Sequence, residues 1–425
     1  MTIKKYAKIK QCSAQGLIEA AINLFYSDDN HLQIEHGPME TFTYRFQNRN
    51  DFPSDKEILF IPPNGSLKKF DFSIFRIAKY LKDLDIKTSL LSLEPPPENF
   101  VHLFGKIYTP KTITEFLDLL GTIPRSQIFY RGWMHAYVFG AFLVKYFPNT
   151  IINIKDWNFC DRLRYHFLFG DLSLHDFEGI DYIFKNARVI LSHYTEDETD
   201  RWAEEHNCSP GKFVFFPELC DEENFCQLIP EKPMDKISLV MASSLPPNNL
   251  PVDMFPGKTI FRDTRLLTRK GLMIDFVVPE AVFSRILSEK KLYLDVLYES
   301  RFNPNFNLVK GRALAARILQ VYHYGVFLFS DVTREVRLFE HAIPSKFALY
   351  LEAGLPVLVN DKIKSLARLV EKNGLGIVFS DKKMEELPEK LQRIHHEYTE
   401  MSHNVCAFRK EFTYQSFSTL GKLLV

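Results

Sequence analysis

Apolar and polar positions alternate along the first half of the chain in two periods, one typical of buried strands and one typical of helices. A short apolar run at Glu57–Ile61 stops at two prolines, and apolar residues then recur at helical spacing from Phe75 to Leu84. The strands predicted in this half are 57–61, 88–92, 127–130, 150–154, 188–192 and 212–216. The helices predicted around them are 16–26, 75–84, 113–120, 136–146 and 196–205.

The same alternation starts again after a polar stretch with two prolines at 221–236, which we interpret as an interdomain linker. The strands predicted in this second half are 237–242, 293–297, 325–329, 355–359 and 375–379. The predicted helices are 311–322, 345–353 and 363–372, with two further helical patterns at 383–403 and 408–424.

Two successive series of strands and helices predict an α/β fold with two Rossmann-like domains, because such series build mostly parallel sheets with right-handed crossovers. We expect the domains at 56–225 and 235–405. Residues 1–55 are expected to form an extension of the first domain, and 406–425 a helix that crosses back to it. Ligands bind beyond the carboxyl ends of parallel strands, so a cleft where the two domains face each other is the expected site.

Composition and charge restrict the partners of this fold. The 425 residues carry 53 basic and 53 acidic side chains, so no net field favours nucleic acid. Six cysteines are too sparse for a disulfide framework. The spacing of His206, Cys208, Cys220 and Cys226 resembles no common zinc module. We therefore expect no metal site.

The expected location is the cytoplasm. No apolar run reaches the roughly 18 residues that span a bilayer, and the start of the chain lacks the apolar segment of a signal peptide. Peripheral contact with the inner face of the membrane is an open alternative, because the first ten residues carry several lysines that anionic lipid attracts. A solvated lysine cluster is the competing interpretation, and the oligomeric state is not predicted.

The triplet Pro344-Ser345-Lys346 is the most informative polar feature of the second half. A helix start presents unpaired N–H groups and partial positive charge, and a hydroxyl with an ammonium there suits a phosphate or diphosphate. Gly354 is predicted to end the helix and to turn the chain into the next strand. The alternative is that Ser345 only caps the helix and that Lys346 is only a solvated charge.

Residues 344–381 resemble the nucleotide-sugar half of GT-B glycosyltransferases of the family-4-like kind. The chain reads PSKFALYLEAGLPVLV at 344–359 and NGLGI at 373–377. The bacterial galactofuranosyl- and glucosyltransferase-like sugar transferases have the pattern P-[HS]-K-x-x-x-Y-L-x-A-G-L-P-V, followed by N-G-[IL]-G-I. The resemblance implies transfer of a sugar from a nucleotide sugar, expected to be UDP-linked, to a glycan or lipid-linked glycan in surface polysaccharide or glycoconjugate synthesis. It implies no further cofactor and no metal.

The resemblance also implies roles for particular residues. Ser345 and Lys346 match the positions that hold the donor diphosphate. The segment from Arg265 to Lys270 resembles the motif G-R-L-x-x-x-K-G, in which an arginine and a lysine hold the same group, although Thr264 replaces its first glycine. A solvated basic loop is the alternative for these two residues.

The nucleoside contact departs from the family pattern. Leu349 occupies the place where many family members have a glutamate that binds the donor ribose, and a leucine cannot accept hydrogen bonds. Glu352 lies one turn further along the predicted helix, and Glu340 lies upstream of Pro344. Either carboxylate could supply the missing acceptor.

The first half is expected to bind the acceptor. Asn64, Gly65 and Ser66 follow the first strand, where such enzymes have a loop near the acceptor, although Gly65 could be only a turn glycine. Asp156 follows strand 150–154 and is the candidate base that removes the acceptor proton in an inverting transfer. His135 is the second catalytic candidate. Capping roles at a turn or a helix start are the alternatives for both.

Three other functions are alternatives for a chain of this architecture. A degenerate GT-B subunit that binds only a glycan or a partner protein agrees with Leu349 at the ribose position. A nucleotide-sugar epimerase of the same architecture would need carboxylates and a histidine around a UDP-sugar without an acceptor groove. A dehydrogenase is disfavoured, because no G-x-G-x-x-G follows a predicted strand.

Overall fold

A computed structural model describes most of the chain. The described residues are 13–26, 31–35, 41–45, 57–67, 72–123, 127–133, 136–155, 157, 162, 165–166, 170–227, 232, 237–242, 245, 257–311, 316–328 and 339–417. Contacts divide them into two compact units, with the first ending at Phe216 and the second running from Pro217 to Phe417.

The first unit contains a seven-stranded parallel sheet. Its strands are β3 (Glu57–Ile61), β4 (Lys87–Leu91), β5 (Lys106–Tyr108), β6 (Gln127–Gly132), β7 (Thr150–Ile154), β8 (Val189–Ser192) and β9 (Phe213–Phe215). Their order in the sheet is β5-β4-β3-β6-β7-β8-β9. An antiparallel pair precedes the sheet, β1 (His31–Glu35) with β2 (Thr41–Arg45), and the hydrophobic pattern did not predict it.

Six helices accompany these strands in the described part of the chain, and the pattern predicted all of them except Asp176–Asn186. They are α1 (Ala14–Phe25), α2 (Phe72–Asp83), α3 (Ile113–Thr122), α4 (Tyr137–Tyr146), α5 (Asp176–Asn186) and α6 (Glu196–Glu205). Nine of the ten residues of α4 are buried, which explains the almost continuous apolar run from Tyr137 to Val144. α5 packs closely on it, because Gly179 leaves room for the backbone of Val138.

The second unit contains a six-stranded parallel sheet. Its strands are β10 (Ser238–Ala242), β11 (Met273–Pro279), β12 (Phe306–Gly311), β13 (Tyr324–Phe327), β14 (Val357–Asn360) and β15 (Gly376–Phe379). Their order is β12-β11-β10-β13-β14-β15. The helices are α7 (Gly257–Arg269), α8 (Glu280–Ser288), α9 (Leu294–Phe302), α10 (Ala316–Leu319), α11 (Lys346–Glu352), α12 (Lys364–Asn373), α13 (Leu387–Arg393) and α14 (Tyr398–Glu411).

Three sequence predictions in this unit are wrong. The segment predicted as strand 293–297 lies mostly in α9, where alternate apolar residues face both the core and solvent. The predicted helix from Gly311 is also wrong at its start, because Gly311 ends β12. The helical pattern predicted at 408–424 belongs to α14 only as far as Glu411, and turns follow to Ser416.

Both sheets have a topological switch point, where successive connections leave in opposite directions. It lies between β3 and β6 in the first sheet and between β10 and β13 in the second. Open parallel sheets bind ligands beyond the carboxyl ends of the strands at such points. The loop after β3 and the segment between β13 and α11 are therefore the places to examine for function.

Candidate functional site

A tyrosine and a glycine fix α11 on the second sheet. The Tyr350 ring lies directly against Gly325 of β13, where an added Cβ would come within 2.4 Å of the ring. The Tyr350 hydroxyl accepts a hydrogen bond from the Ala242 amide at 2.9 Å and donates to the Val240 carbonyl at 3.2 Å. α11 is thereby held on one face of the sheet, against β10 and β13.

The far end of α11 is closed by a glycine turn, as predicted. Gly354 has a φ of +73°, and its amide donates to Leu351. The Leu355 amide donates to Tyr350, which completes a Schellman motif. The carboxyl end of the short helix is therefore fixed by this turn, and its middle by the Tyr350 contacts.

Ser345 and Lys346 lie at the start of α11. Ser345 is exposed and Lys346 half-buried, and the Ser345 side chain makes no capping hydrogen bond to the helix. Ser345 thus occupies the N-cap position without capping the helix through its side chain, and its role in binding a diphosphate stays a prediction. α11 has only seven residues, so its dipole is a smaller source of positive charge than the longer predicted helix implied. Positive charge at this helix start would therefore come mainly from the Lys346 ammonium.

Glu340, upstream of Ser345 in the chain, contacts the start of α12. Its carboxylate Oε1 lies 2.5 Å from Nζ of Lys364, and its backbone carbonyl accepts from the Ser365 amide at 3.2 Å. The Glu340 side chain is 25% exposed and the Lys364 side chain 53%. A partly exposed carboxylate at this edge is able to accept hydrogen bonds from hydroxyl groups.

A second polar cluster follows β14. Asn360 is fully buried, donates through Nδ2 to the Asp381 carboxylate, and accepts through Oδ1 from the Lys362 amide. The Lys362 ammonium lies 2.8 Å from Asp381. Burial and the Asp381 carboxylate raise the pKa of Asp361, against the opposing effect of Lys362. The sequence analysis missed this cluster, although polar residues directly after a predicted strand were the signal used elsewhere.

Glu340 and Glu352, the two carboxylates that could replace the ribose-binding glutamate, lie in different surroundings. Glu352 is 1% exposed at the opposite end of α11, where its carboxylate accepts from the Asp221 amide at 2.8 Å. Its carbonyl accepts from the Cys226 amide and from Nη1 of Arg409. Leu349 is buried, at 5% exposure. Of the two carboxylates, only that of Glu340 is partly exposed, and it pairs with Lys364 at the start of α12.

Arg265 and Lys270 lie on or directly after α7 and not in an open loop. Nε of Arg265 lies 2.7 Å from the buried Glu299 carboxylate, and its guanidinium lies over the Phe261 ring. Lys270 follows the end of α7, before β11 begins, and its Nζ lies 3.5 Å from Glu385. The amino end of β11 is the edge of the sheet opposite to Ser345, so the structure does not bring Lys270 together with it.

The loop after β3 is held by contacts within the first unit. Asn64 has a φ of +50° and is 2% exposed, and its amide donates to the Tyr130 hydroxyl. Gly65 has a φ of +72° and packs against Leu17 of α1. The Ser66 hydroxyl donates to the Glu94 carboxylate. The acceptor role predicted for these three residues stays a prediction.

Two charged side chains near the carboxyl edge of the first sheet are buried and hydrogen-bonded. The Arg131 guanidinium, 2% exposed, donates to Ser73 Oγ at 2.7 Å and to the Asn153 side chain. The Asp176 carboxylate, which is fully buried, accepts from the Tyr137 and Val138 amides at the start of α4.

The two predicted catalytic residues, Asp156 and His135, lie outside the described residues. Asp176 was not found from the sequence, because it lies far along the chain from the helix that it caps. His135 lies two residues before the start of that helix in the sequence.

Metal ligands and membrane-spanning helices can be assessed for the part of the chain that the structure describes. That part contains no group of three or more His, Cys, Asp or Glu side chains able to hold a metal ion. An Asp-x-Asp triplet, the pattern that binds a metal ion in some transferases, runs from Asp83 at the end of α2 to Asp85. It lies on the amino side of β4, away from the carboxyl edge. None of the helices described is long and apolar enough to cross a membrane.

Comparisons with known proteins place this architecture among known folds. Residues 310–419 match the family model of the Glucosyltransferase 3-like C-terminal domain. Anabaena Alr3699/HepE, solved in complex with UDP and glucose, is 13% identical, with a TM-score of 0.61 over 87% of this chain and 99% of that chain. The chain has the GT-B fold.

Two further structures share the GT-B fold. A glycosyltransferase from Rickettsia africae is 10% identical, with a TM-score of 0.55 over 86% of this chain and 97% of that chain. An α,α-trehalose-phosphate synthase (UDP-forming) from Burkholderia vietnamiensis is 8% identical, with a TM-score of 0.55 over 87% and 97%. These similarities concern the GT-B fold. The curated proteins contain no match to the sequence.

Proposed function

We propose that the chain is a glycosyltransferase that moves a hexosyl group from a UDP-linked sugar to a glycan or lipid-linked glycan, in the synthesis of surface polysaccharide or glycoconjugate. The observation that carries the proposal is the match of residues 310–419 to the Glucosyltransferase 3-like C-terminal domain, within a GT-B fold. HepE, which has this fold, binds UDP and glucose, and this supports the choice of nucleotide.

In this proposal Ser345 and Lys346 bind the donor diphosphate. Breaking the bond between the sugar and the diphosphate leaves negative charge on the leaving group, and stabilising that charge is the largest demand on the site. Lys362 and Lys364 add two partly exposed ammonium groups at the same edge of the sheet. These side chains could supply the positive charge without a metal ion.

Glu340 is the proposed acceptor for the ribose hydroxyls in place of the absent glutamate at Leu349. Its carboxylate is partly exposed beside the start of α12, whereas that of Glu352 is buried and already accepts a backbone amide. Donor binding would replace part of the Glu340–Lys364 ion pair with hydrogen bonds to hydroxyls.

The proposed chemistry needs a base for the acceptor. Asp156 is our first candidate and His135 the second, each following a strand of the first sheet. The base takes the proton of the acceptor hydroxyl, whose oxygen forms the new bond to the anomeric carbon as the bond to the diphosphate breaks. This describes transfer in one inverting step.

The decisive experiment measures nucleotide release. Purified protein is incubated with UDP-glucose, UDP-galactose, UDP-N-acetylglucosamine and GDP-mannose, with and without EDTA. We expect release from at least one UDP-sugar that EDTA does not suppress. Lys346→Ala should lower turnover about 100-fold or more, because one lost charge-stabilising donor typically costs that much. Glu340→Ala should instead raise the KM for the donor.

The matched control is Lys372→Ala, which removes an exposed lysine near the other end of α12 and should leave turnover unchanged. Tight binding of a glycan with no turnover of any donor would support the degenerate subunit. Interconversion of UDP-sugars without transfer would support the epimerase. If no nucleoside diphosphate binds in calorimetry, the donor-site assignment is wrong.

A further inference from the structure

One helix of the second unit displays an apolar stripe to solvent. Leu294, Tyr298 and Phe302 follow one another at four-residue spacing on α9, so they lie along one face of the helix. They are 61%, 60% and 63% exposed. The Tyr298 and Phe302 rings also contact each other, with centroids 4.8 Å apart. An exposed cluster of large apolar side chains is typical of an interaction surface.

The stripe is not what attaches α9 to the protein. The opposite face of the helix contributes Val296 to the core of the second unit, and Tyr293 directly before the helix is fully buried in the same core. Glu299 is also buried on that face, paired with Arg265. Since this inner face anchors the helix, the three exposed side chains are available to a partner.

Basic residues surround the stripe. Lys290 and Lys291 are exposed in the turn before α9, and Arg285 is exposed on the preceding helix. The Arg301 guanidinium lies 5.6 Å from the centroid of the Phe302 ring. The acidic residues of the same stretch are Glu289, which is exposed, Asp295, which is half-buried, and Glu299, which is buried. Within residues 285–302, which contain the stripe, the exposed charge is therefore mostly positive.

The area of the stripe argues against a second copy of the chain as its occupant. Two aromatic side chains and one leucine at these exposures present roughly 300–400 Å². A stable interface buries about 800 Å² on each partner. An isologous contact through α9 would also bring two sets of these basic residues close together.

We propose that α9 is a membrane-docking surface that lies in the interface of a bilayer containing anionic lipid. Leu294, Tyr298 and Phe302 would enter the boundary between headgroups and acyl chains, while Lys290, Lys291 and Arg301 bind anionic headgroups. Such a helix lies along the bilayer and does not cross it. This inference does not rest on the proposed glycosyl transfer, although it would bring the enzyme to a lipid-linked acceptor.

The test is flotation of the full chain with vesicles of phosphatidylcholine, with and without about a third of phosphatidylglycerol. We expect binding to the anionic vesicles that weakens at high salt, because salt screens the lysines. The triple variant Leu294→Ser, Tyr298→Ser, Phe302→Ser should bind at least about tenfold more weakly. Lys290→Gln with Lys291→Gln should lose the preference for anionic lipid.

Two control variants match these changes elsewhere in the second unit. Val321→Ser replaces an apolar residue that is 61% exposed, and Lys382→Gln with Lys383→Gln removes another exposed pair of lysines. Neither should alter flotation. All substituted positions are exposed, so circular dichroism is expected to be unchanged. The proposal is overturned if the wild type does not float with anionic vesicles, or if the triple variant floats equally well. It is also overturned if the triple variant abolishes a dimer and not vesicle binding.

Discussion

The carboxyl edges of the two sheets are built differently, although both units repeat the same alternation of strands and helices. In the first unit two charged groups at this edge are buried: Arg131 donates to the Asn153 side chain, and Asp176 accepts from backbone amides at the start of α4. In the second unit Ser345, Lys362 and Lys364 lie there with exposed or partly exposed side chains. A buried charge stabilises one conformation, whereas an exposed cation at a strand end is able to meet an anionic ligand.

The largest loss in the free energy of unfolding is expected from Asp176→Ala. The change removes the acceptor for the Tyr137 and Val138 amides and for the Tyr165 hydroxyl, all in a buried region. Buried groups left without partners cost about 1–3 kcal/mol each, so we expect a loss of about 3 kcal/mol or more in the free energy of unfolding. All three tryptophans of the chain, Trp133, Trp157 and Trp202, lie in the first unit, so their fluorescence during urea unfolding reports this loss.

Asp181→Ala is the matched control on the same helix. Its carboxylate is 42% exposed and pairs with Lys185 and His206 near the surface. Pairs of this kind contribute about 0–1 kcal/mol, so the tryptophan transition should move little. Equal shifts for the two variants would contradict the view that buried charge holds the first unit together.

In the second unit, Gly325→Ala tests the contact that positions α11. The new Cβ would lie 2.4 Å from the Tyr350 ring, so the ring or the strand must move. Overpacking of this kind costs about 1–3 kcal/mol and sometimes more. Hydrogen exchange followed by mass spectrometry should show faster exchange in β13 and α11. Gly105→Ala is the control, because its nearest atom outside the neighbouring residues is a carbonyl 3.6 Å away.

Much of this fold could be predicted from the sequence, because most strands are continuous apolar runs bounded by loops. Strands such as 57–61 and 150–154 were predicted at their observed bounds. The prediction failed at α9, where apolar residues on both faces imitate the alternation of a strand. It also missed β12, in which only Phe306 and Gly311 are buried, so the apolar signal is weak.

The candidate site was predictable only where local sequence determines it. Ser345 and Lys346 follow from a helix start and a family pattern, and Gly354 from a helix end. The position of Glu352 depends on the Asp221 amide, which is 131 residues away in the chain, and no local pattern shows that contact. The pairing of Arg265 with Glu299 was likewise not predicted, because Glu299 lies on a different helix.

The two ends of α11 are expected to have different roles: the amino end, at Ser345, binds the ligand, and the carboxyl end, at Glu352, stabilises the fold. Glu352→Gln keeps the shape of the side chain but replaces the charged acceptor of the Asp221 amide with a neutral one. Hydrogen bonds to charged groups are worth about 1.5–3 kcal/mol and neutral ones about 1, so we expect a loss of about 1 kcal/mol. Nucleotide binding should be unchanged, because Ser345 lies at the other end of the helix.

Calorimetric titration with UDP compares Glu352→Gln with Glu340→Gln. We expect weaker binding only for Glu340→Gln. The stability control is Glu371→Gln, an exposed position on α12 that should leave unfolding unaltered. If Glu352→Gln weakens UDP binding as much as Glu340→Gln does, the division of α11 into a ligand end and a structural end is wrong.

The smallest effect on the free energy of unfolding is expected from replacing Lys232, and this effect depends on pH. Burial lowers the pKa of this lysine to about 8 from its usual 10.5, although the ammonium also donates to the Tyr322 carbonyl and lies 5.8 Å from the centroid of the Tyr398 ring. Between these two values the unfolded chain binds a proton that the folded chain has released. The free energy of unfolding should therefore rise with pH through this window, and the gain should be lost as pH falls through 8. Lys232→Met should remove this part of the pH dependence, measured as the difference from wild type in urea unfolding at several pH values. The exposed Lys290→Met should leave the dependence intact, and an unchanged difference for Lys232→Met would show that Lys232 keeps an ordinary pKa in the folded protein.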